Sequence, residues 1–362
     1  NATSENESAV LLMKDIYKGR DDLAGYYDWL VEQGREVAES EIDSVFWEPV
    51  QYAWDRGDCA NIILKGKEYN SKVENGRHNA DAHYYMARCI HQEENLEEAL
   101  SHYNKVIDKV NNNNYEYALK YAGNISYFLG DYRQAIGHYS TLERVAASED
   151  NIRTSVIGQM RGFWKLNNYQ SAIAYSNKTL LLSNLDESLE IEASLIHGLS
   201  LKETDRLDEA YIILIALSEN TKSIKGAEAK YNAAEILFEQ EKNDECEITI
   251  MELVKQKPSY DYWIASAIIL LGDNFIVKED YFNAKSSLQS VIDNYEGKDQ
   301  AEIVALAQSK IDYILDLESQ SEKSIEKDDV EIDFEGVDEK DKKLFEDELE
   351  EEKQKQNKEP NN

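Results

Sequence analysis

Cationic and aromatic side chains recur at corresponding places in three consecutive segments of the chain, and their types and spacing could bind a ligand. Cations beside aromatic faces suit a carboxylate-bearing or extended peptide. The four cations of the set are expected to form a locally positive strip. The alternative interpretation is that these are ordinary solvated helix residues, with core aromatics assigned one position out of phase. The expected partner-binding groove consists of Tyr84, Arg88, His91, Lys120, Asn124, Tyr127, Arg161, Trp164 and Lys165.

No catalytic motif accompanies this groove. The chain has no Gly-rich phosphate loop and no nucleophile elbow, and Lys65-Gly66-Lys67 falls inside a predicted helix. The six histidines show neither H-E-x-x-H nor an i, i+4 pair. We therefore expect no catalytic residues, no metal site and no cofactor. A hydrolase or transferase would need a further domain that supplies the active site.

The three cysteines, Cys59, Cys89 and Cys246, lie far apart and form no C-x-x-C pair. This spacing predicts no disulfide framework. The odd number leaves at least one free thiol or an intermolecular pairing.

The charge balance argues against several kinds of partner. The 362 residues carry a formal net charge of −33, which disfavours nucleic acid and anionic membrane surfaces, since both attract Lys and Arg. No run approaches about 18 apolar residues, so no transmembrane helix is expected. The sequence begins at Asn1 without Met, which is compatible with removal of a leader or of a longer segment.

The elements that position the groove follow from a repeat. A site that is small in most copies recurs every 36 to 38 residues. A period in the middle thirties predicts stacked helix-turn-helix units, seven of them over 41–295. Where the turn carries Asp or Asn, that residue is expected to cap the second helix, and the small residue marks where the two helices of a unit cross. The recurring site comprises Ile62, Ala99, Ala135, Ala172, Ala210, Cys246 and Ala284.

This outline resembles the tetratricopeptide repeat (TPR). The match calls for a small first-helix residue and a large second-helix residue, and it finds Gly123 and Tyr139. The resemblance implies an all-α, right-handed α-solenoid whose first helices line a concave binding surface. The units depart from the pattern because they are longer than about 34 residues, and the terminal proline survives only at Pro258. The small first-helix site is also matched by Ala87, Gly198, Ala234 and Gly272.

Two groove residues are similar to part of a known peptide site. Lys120 and Asn124 match two positions of the carboxylate clamp of chaperone-tail-binding TPR domains. The remaining clamp positions fall on Gly158, Glu192 and Ile196, so the full clamp is absent. The resemblance therefore implies a binding scaffold and leaves the partner open.

A second resemblance concerns the kind of cell. The stretches SEIDSVFWEPVQYAWDRGDCANI and NGRHNADAHYYMARC resemble a passage in large envelope TPR proteins of Bacteroides-type bacteria. This resemblance implies the carboxy-terminal portion of a longer exported protein, periplasmic or associated with the outer membrane.

Four regions are expected along the chain. Residues 1–40 form a degenerate helical repeat, 41–298 the TPR array and 299–317 a capping helix. Residues 318–362 form an acidic tail, disordered or loosely helical, because charge outweighs apolar content there. A sharper hypothesis is that the tail docks on the groove of the same or a neighbouring copy. Its apolar anchors would be Phe334, Leu344, Phe345 and Leu349.

Two classes of function compete on these grounds. The first is a non-catalytic scaffold that holds components of an outer-membrane assembly or a surface complex. The second is a cytoplasmic TPR adaptor or regulatory sensor that binds acidic peptide tails. The sequence names neither the partner nor the oligomeric state.

Overall fold

The computed structural model describes residues 2–20, 22–73, 75–110 and 112–327, with side chains from residue 7 to residue 320 within those ranges. Every regular element in this described part is an α-helix, which confirms the all-α prediction. The tail anchors Phe334, Leu344, Phe345 and Leu349 lie outside the described residues.

Seventeen helices occupy the described chain, and from α3 to α16 they pair into seven hairpins. Their bounds are α1 Ala2–Gly19, α2 Leu23–Glu32, α3 Glu39–Asp55, α4 Cys59–Lys72, α5 Asn79–Gln92, α6 Leu96–Ile107, α7 Tyr115–Phe128, α8 Tyr132–Val145, α9 Glu149–Lys165, α10 Tyr169–Leu180, α11 Glu187–Lys202, α12 Leu207–Asn220, α13 Ile224–Glu239, α14 Asn243–Lys255, α15 Asp261–Val277, α16 Tyr281–Asn294 and α17 Gln300–Lys327.

The helices belong to two compact units, Asn1–Ala267 and Ile268–Asn362. In the first unit each helix packs on the next along the chain, which is the arrangement of an α-solenoid. In the second unit Gly272 of α15 packs against Leu288 of α16, and α16 packs on α17. Helix α17 continues to Lys327, past the position at which the capping helix was expected to end.

The turn inside each hairpin has a fixed backbone conformation. In all seven hairpins from α3 to α16, the residue two positions before the start of the second helix adopts a positive φ. The next residue caps the helix wherever it is Asp or Asn; the Asp131 carboxylate, for example, accepts a hydrogen bond from the Gln134 N–H at 3.0 Å. The predicted caps are thereby confirmed at Asp58, Asn95, Asp131, Asn168 and Asp280.

Glycine should therefore stabilise the turns that lack it. Glu241 has a φ of 58°, a conformation that costs a non-glycine residue roughly 1 kcal/mol. We predict that Glu241→Gly raises the free energy of unfolding by about 0.5–1 kcal/mol, measured by chemical denaturation. The matched control is Ala216→Gly on the exposed face of α12, which should lower it by about 1 kcal/mol. Destabilisation by both changes would contradict the role assigned to the turn.

The small residues lie where the helices of a hairpin cross, as the repeat predicted. The six small side chains at this site are completely buried. A closely packed contact surrounds Tyr139, whose ring lies between two glycines, Gly123 of α7 and Gly158 of α9. Both first helices therefore approach α8 closely enough to exclude a β-carbon.

The prediction of no disulfide is wrong. Cys59 at the start of α4 and Cys89 in α5 form a disulfide with their Cα atoms 5.3 Å apart. They are 30 residues apart in sequence, which is close to one repeat, so the stacking of hairpins brings them together although no local motif does. Cys246 is buried and takes no part in a disulfide.

Candidate functional site

The first helices of the hairpins share one face of the first unit. Helix α3 contacts α5, α7 contacts α9, α9 contacts α11, and α11 contacts α13. Among the described hairpins, α5 and α7 make no comparable contact, and neither do the second helices with one another. The array is therefore more tightly packed along its first helices, which places them on its inner side. All nine residues predicted for the groove lie on three of these first helices, α5, α7 and α9.

On α5 the predicted residues are largely buried. Tyr84 is only 6% exposed and belongs to the core. Arg88 is half-buried, with its guanidinium carbon 5.0 Å from the centre of the Tyr121 ring. His91 is also half-buried and meets the edges of Tyr103 and Tyr121. Tyr84 therefore packs in the core below the site, and of these three residues only Arg88 and His91 are partly exposed.

On α7 the predicted residues are engaged within the array. Lys120 Nζ lies 2.6 Å from an oxygen of Asp150 on α9. The Asn124 side-chain oxygen accepts a hydrogen bond of 2.8 Å from the Tyr139 hydroxyl, and the half-buried Tyr127 packs against Tyr132 of its own hairpin. The two residues that match the carboxylate clamp therefore already have partners inside the protein.

On α9 the three predicted residues differ in their surroundings. Arg161 makes a two-pronged bond to Glu192 of α11, with nitrogen–oxygen distances of 2.8 and 2.7 Å. This hydrogen-bonded pairing raises the pKa of Arg161. Trp164 is half-buried against Tyr169, and Lys165 is exposed.

These contacts belong to a regular series of ion pairs, which we call the inner ladder. In each pair a cation on one first helix meets a carboxylate on the next first helix. The ladder neutralises two of the four cations predicted to form a positive strip, Lys120 and Arg161. Its described members between hairpins of the first unit are Lys120 with Asp150, Arg161 with Glu192, and Lys202 with Glu235.

Sequence reasoning missed a cluster of aromatic residues between α3 and α7. Tyr85 stacks on Trp54 with ring centres 4.0 Å apart, and Tyr103 stacks on Tyr121 at 5.4 Å. Tyr117 is 50% exposed, and its ring centre lies 6.5 Å from that of Tyr84. The density of tyrosine in HYYMARC and YEYALKY is the signal that could have found this cluster.

We call the surface formed by Arg88, His91, Tyr117 and Tyr121 the α5–α7 patch. Burial, followed by the charge of Arg88, lowers the pKa of His91, which favours the neutral imidazole. Burial alone would lower the pKa of Arg88, but its hydrogen bond to Tyr84 and the nearby tyrosines raise it. The patch therefore carries one positive charge among aromatic rings.

The described side chains offer no obvious metal site, since no group of three or more His, Cys, Asp or Glu residues could hold an ion. His83 Nδ1 does lie 2.9 Å from His102 Nδ1. This pair joins two neutral rings, because burial lowers the pKa of both histidines. Among the described helices none is long and apolar enough to cross a membrane.

Buried histidines make the stability of the array sensitive to acid. Burial, followed by the charge of His102, lowers the pKa of His83 to about 4. Since this folded pKa lies below the unfolded value of about 6.5, the stabilisation is complete above the unfolded value and is lost as pH falls towards the folded one. We predict a steady fall of Tm between about pH 7.5 and pH 5.5. Burial also lowers the pKa of His91, His102, His138 and His197.

The control for this prediction removes the histidine pair. The variant His83→Asn with His102→Asn should have a smaller slope of Tm against pH than the parent chain. Staying above about pH 5.5 keeps carboxylates with a lowered pKa out of the measured range. A parent Tm that is flat or rises as the pH falls would contradict the prediction.

Comparison with known proteins finds similarity only at the level of fold. No family model matches the chain, and no curated protein matches it. A TPR protein from Parabacteroides merdae is 17% identical with a TM-score of 0.39, and the match covers 74% of this chain and 99% of that one. YrrB, described as a TPR protein with an unusual peptide-binding site, is 19% identical with a TM-score of 0.41, over 61% of this chain and 97% of that one.

A third solved structure is the C-terminal part of a TPR repeat-containing protein from Cytophaga hutchinsonii, 13% identical with a TM-score of 0.49, over 70% of this chain and 98% of that one. The class of this protein follows from its own geometry. Hairpins that repeat every 36 to 38 residues, with capped turns and small residues at the helix crossings, give this chain the fold of an α-solenoid of stacked TPR-type helix hairpins.

Proposed function

We propose that this protein is a non-catalytic interaction scaffold that binds an acidic peptide segment of a partner protein on its inner first-helix face. The observation that carries the proposal is the α5–α7 patch, where a cation and partly exposed aromatic rings lie together on a surface whose other cations are largely paired. The whole set of nine predicted groove residues is retained as the proposed binding region.

We further propose a cell-envelope location, with partners in an outer-membrane assembly or a surface complex. The Cys59–Cys89 disulfide supports this location because disulfides persist in oxidising compartments and are rare in the cytosol. The alternative is a cytoplasmic adaptor or regulatory sensor that binds acidic tails, in which both cysteines would be reduced.

Thiol labelling in intact cells distinguishes the two locations. Cells are quenched in acid, the protein is denatured without reductant, and a maleimide polymer is added. The chain has three cysteines, so an oxidised Cys59–Cys89 pair leaves one site for the polymer, and a reduced chain shows three additions. Three additions in growing cells would overturn the envelope location.

Peptide binding tests the scaffold proposal directly. The probe is a fluorescent peptide of residues 331–352, EIDFEGVDEKDKKLFEDELEEE, which combines carboxylates with apolar side chains. The receptor is the full-length chain with every Asp and Glu after Lys327 replaced by Asn and Gln, so that its own tail does not compete. At about 0.15 M salt, where charges beyond about 8 Å are screened, we expect saturable binding by fluorescence anisotropy. Absence of binding would overturn the proposal.

The same assay addresses docking of the tail. If the native tail occupies the inner face, the unmodified chain should bind the probe more weakly than the chain with the neutral tail, because a tethered ligand competes at high effective concentration. Equal affinities would show that the tail does not dock.

A further inference from the structure

The ion pairs of the inner ladder have a regular separation along the sequence, and this separation shows where a cation has no acidic partner. The paired side chains are 30 residues apart for Lys120 and Asp150, 31 for Arg161 and Glu192, and 33 for Lys202 and Glu235. Each of these three pairs joins one first helix to the next, so an acid about one repeat further along the chain neutralises the cation.

This rule fails at Arg88 and at the exposed Lys165, and of these two cations Arg88 is the half-buried one. The residues 30 to 33 positions after it are 118–121, which read Ala-Leu-Lys-Tyr and contain no acid. Tyr121 occupies the place of the carboxylate, and the guanidinium lies over its ring and donates to the Tyr84 hydroxyl at 3.4 Å. The described groups that raise the pKa of Arg88 are tyrosines, and no carboxylate is among them.

A cation–π contact orients a guanidinium without neutralising it. The positive charge of Arg88 is therefore held in place and half-buried on the face where neighbouring first helices pair their charges internally. Ordering a long side chain is one of the costs of binding, and here the stack on Tyr121 has already ordered it. A planar guanidinium also offers two parallel N–H groups to a carboxylate.

We propose that Arg88 is the residue that receives a side-chain carboxylate of the bound peptide, and that the half-exposed Tyr117 contacts the apolar side chain next to that carboxylate. This inference rests on the proposed function and specifies its ligand: a peptide with Asp or Glu adjacent to an aromatic or aliphatic residue. The probe contains this combination at Asp333, Phe334 and Glu335.

The test compares variants of the full-length chain with the neutral tail, using the same probe. Arg88→Gln keeps a hydrogen-bond donor and removes the charge, and it should weaken binding by about tenfold or more. Arg88→Lys keeps the charge but loses the paired N–H groups, so it should recover only part of the affinity. Tyr117→Ser should weaken binding by about fivefold or more, since a partly exposed aromatic contact is lost.

The matched control removes a ladder pair outside the proposed binding region without a change of net charge, as Lys202→Gln with Glu235→Gln. It should change the affinity by less than about twofold, because these residues lie on α11 and α13, away from the α5–α7 patch. Circular dichroism establishes that each variant is folded, and Tyr117→Ser, at a surface position, decides the case if Arg88→Gln does not fold.

The outcomes separate the two proposals. If the parent chain binds the probe and Arg88→Gln binds it equally well, the role of Arg88 is overturned and the scaffold proposal stands. The role of Arg88 is also overturned if the ladder control weakens binding as much as Arg88→Gln does. If the parent chain does not bind the probe, the scaffold proposal itself is overturned, and the role of Arg88 with it.

Discussion

Replacing both Cys59 and Cys89 by serine is expected to lower the free energy of unfolding by about 3–4 kcal/mol. The disulfide closes a segment of 30 residues and ties α4 to α5, so it restricts the unfolded chain across a whole hairpin junction. The same junction holds the stack of Trp54 on Tyr85. Chemical denaturation of the oxidised parent and the double variant measures the difference.

Reductant provides the control for this prediction. Dithiothreitol should lower the stability of the parent chain towards that of the double variant and leave the double variant unchanged. Equal stability of the oxidised parent and the double variant would contradict the structural role of the disulfide.

Adding one methyl group at Gly158 is expected to destabilise the array by about 1–3 kcal/mol, although alanine is the better helix former. A β-carbon at Gly158 would lie 2.4 to 2.6 Å from three carbon atoms of the Tyr139 ring. The ring cannot move away, because a β-carbon position at Gly123 is only 2.7 Å from its opposite side and its hydroxyl is bonded to Asn124. Thermal and chemical denaturation of Gly158→Ala measure the effect.

The same substitution at Gly137 is the matched control. Gly137 lies in α8, and a β-carbon there would meet no atom within 4 Å. Gly137→Ala should therefore stabilise the protein by up to about 1 kcal/mol through helix propensity alone. If Gly158→Ala and Gly137→Ala change the free energy of unfolding in the same direction, the packing around Tyr139 is loose.

The repeat could be predicted from the sequence because its determinants are local. A capping residue such as Asp131 and a small residue such as Ala135 act within one hairpin, so their spacing along the chain is sufficient. The disulfide joins two hairpins, and only the stacking of one on the next sets its geometry. Linear spacing of cysteines therefore carried too little information.

The sequence predicted which helices carry the candidate site, but it did not predict which of its cations are paired with a carboxylate. The period placed Arg88, Lys120 and Arg161 on successive first helices, and they lie there. Whether each cation is paired depends on the offset between neighbouring helices, which brings Asp150 to Lys120 and Tyr121 to Arg88. Tyr84 was assigned to the surface and is buried, because its position in the helix faces the core.

Photo-cross-linking of the probe tests the central claim, that an acidic peptide binds the inner first-helix face, most directly. In the peptide of residues 331–352, benzoylphenylalanine replaces Phe334, and the full-length chain with the neutral tail is irradiated with it. Mass spectrometry then locates the cross-links. The account predicts cross-links on α5 and α7, concentrated around Tyr117. Cross-links confined to the second helices α6, α8 and α10, or competed equally well by a peptide of unrelated basic sequence, would contradict it.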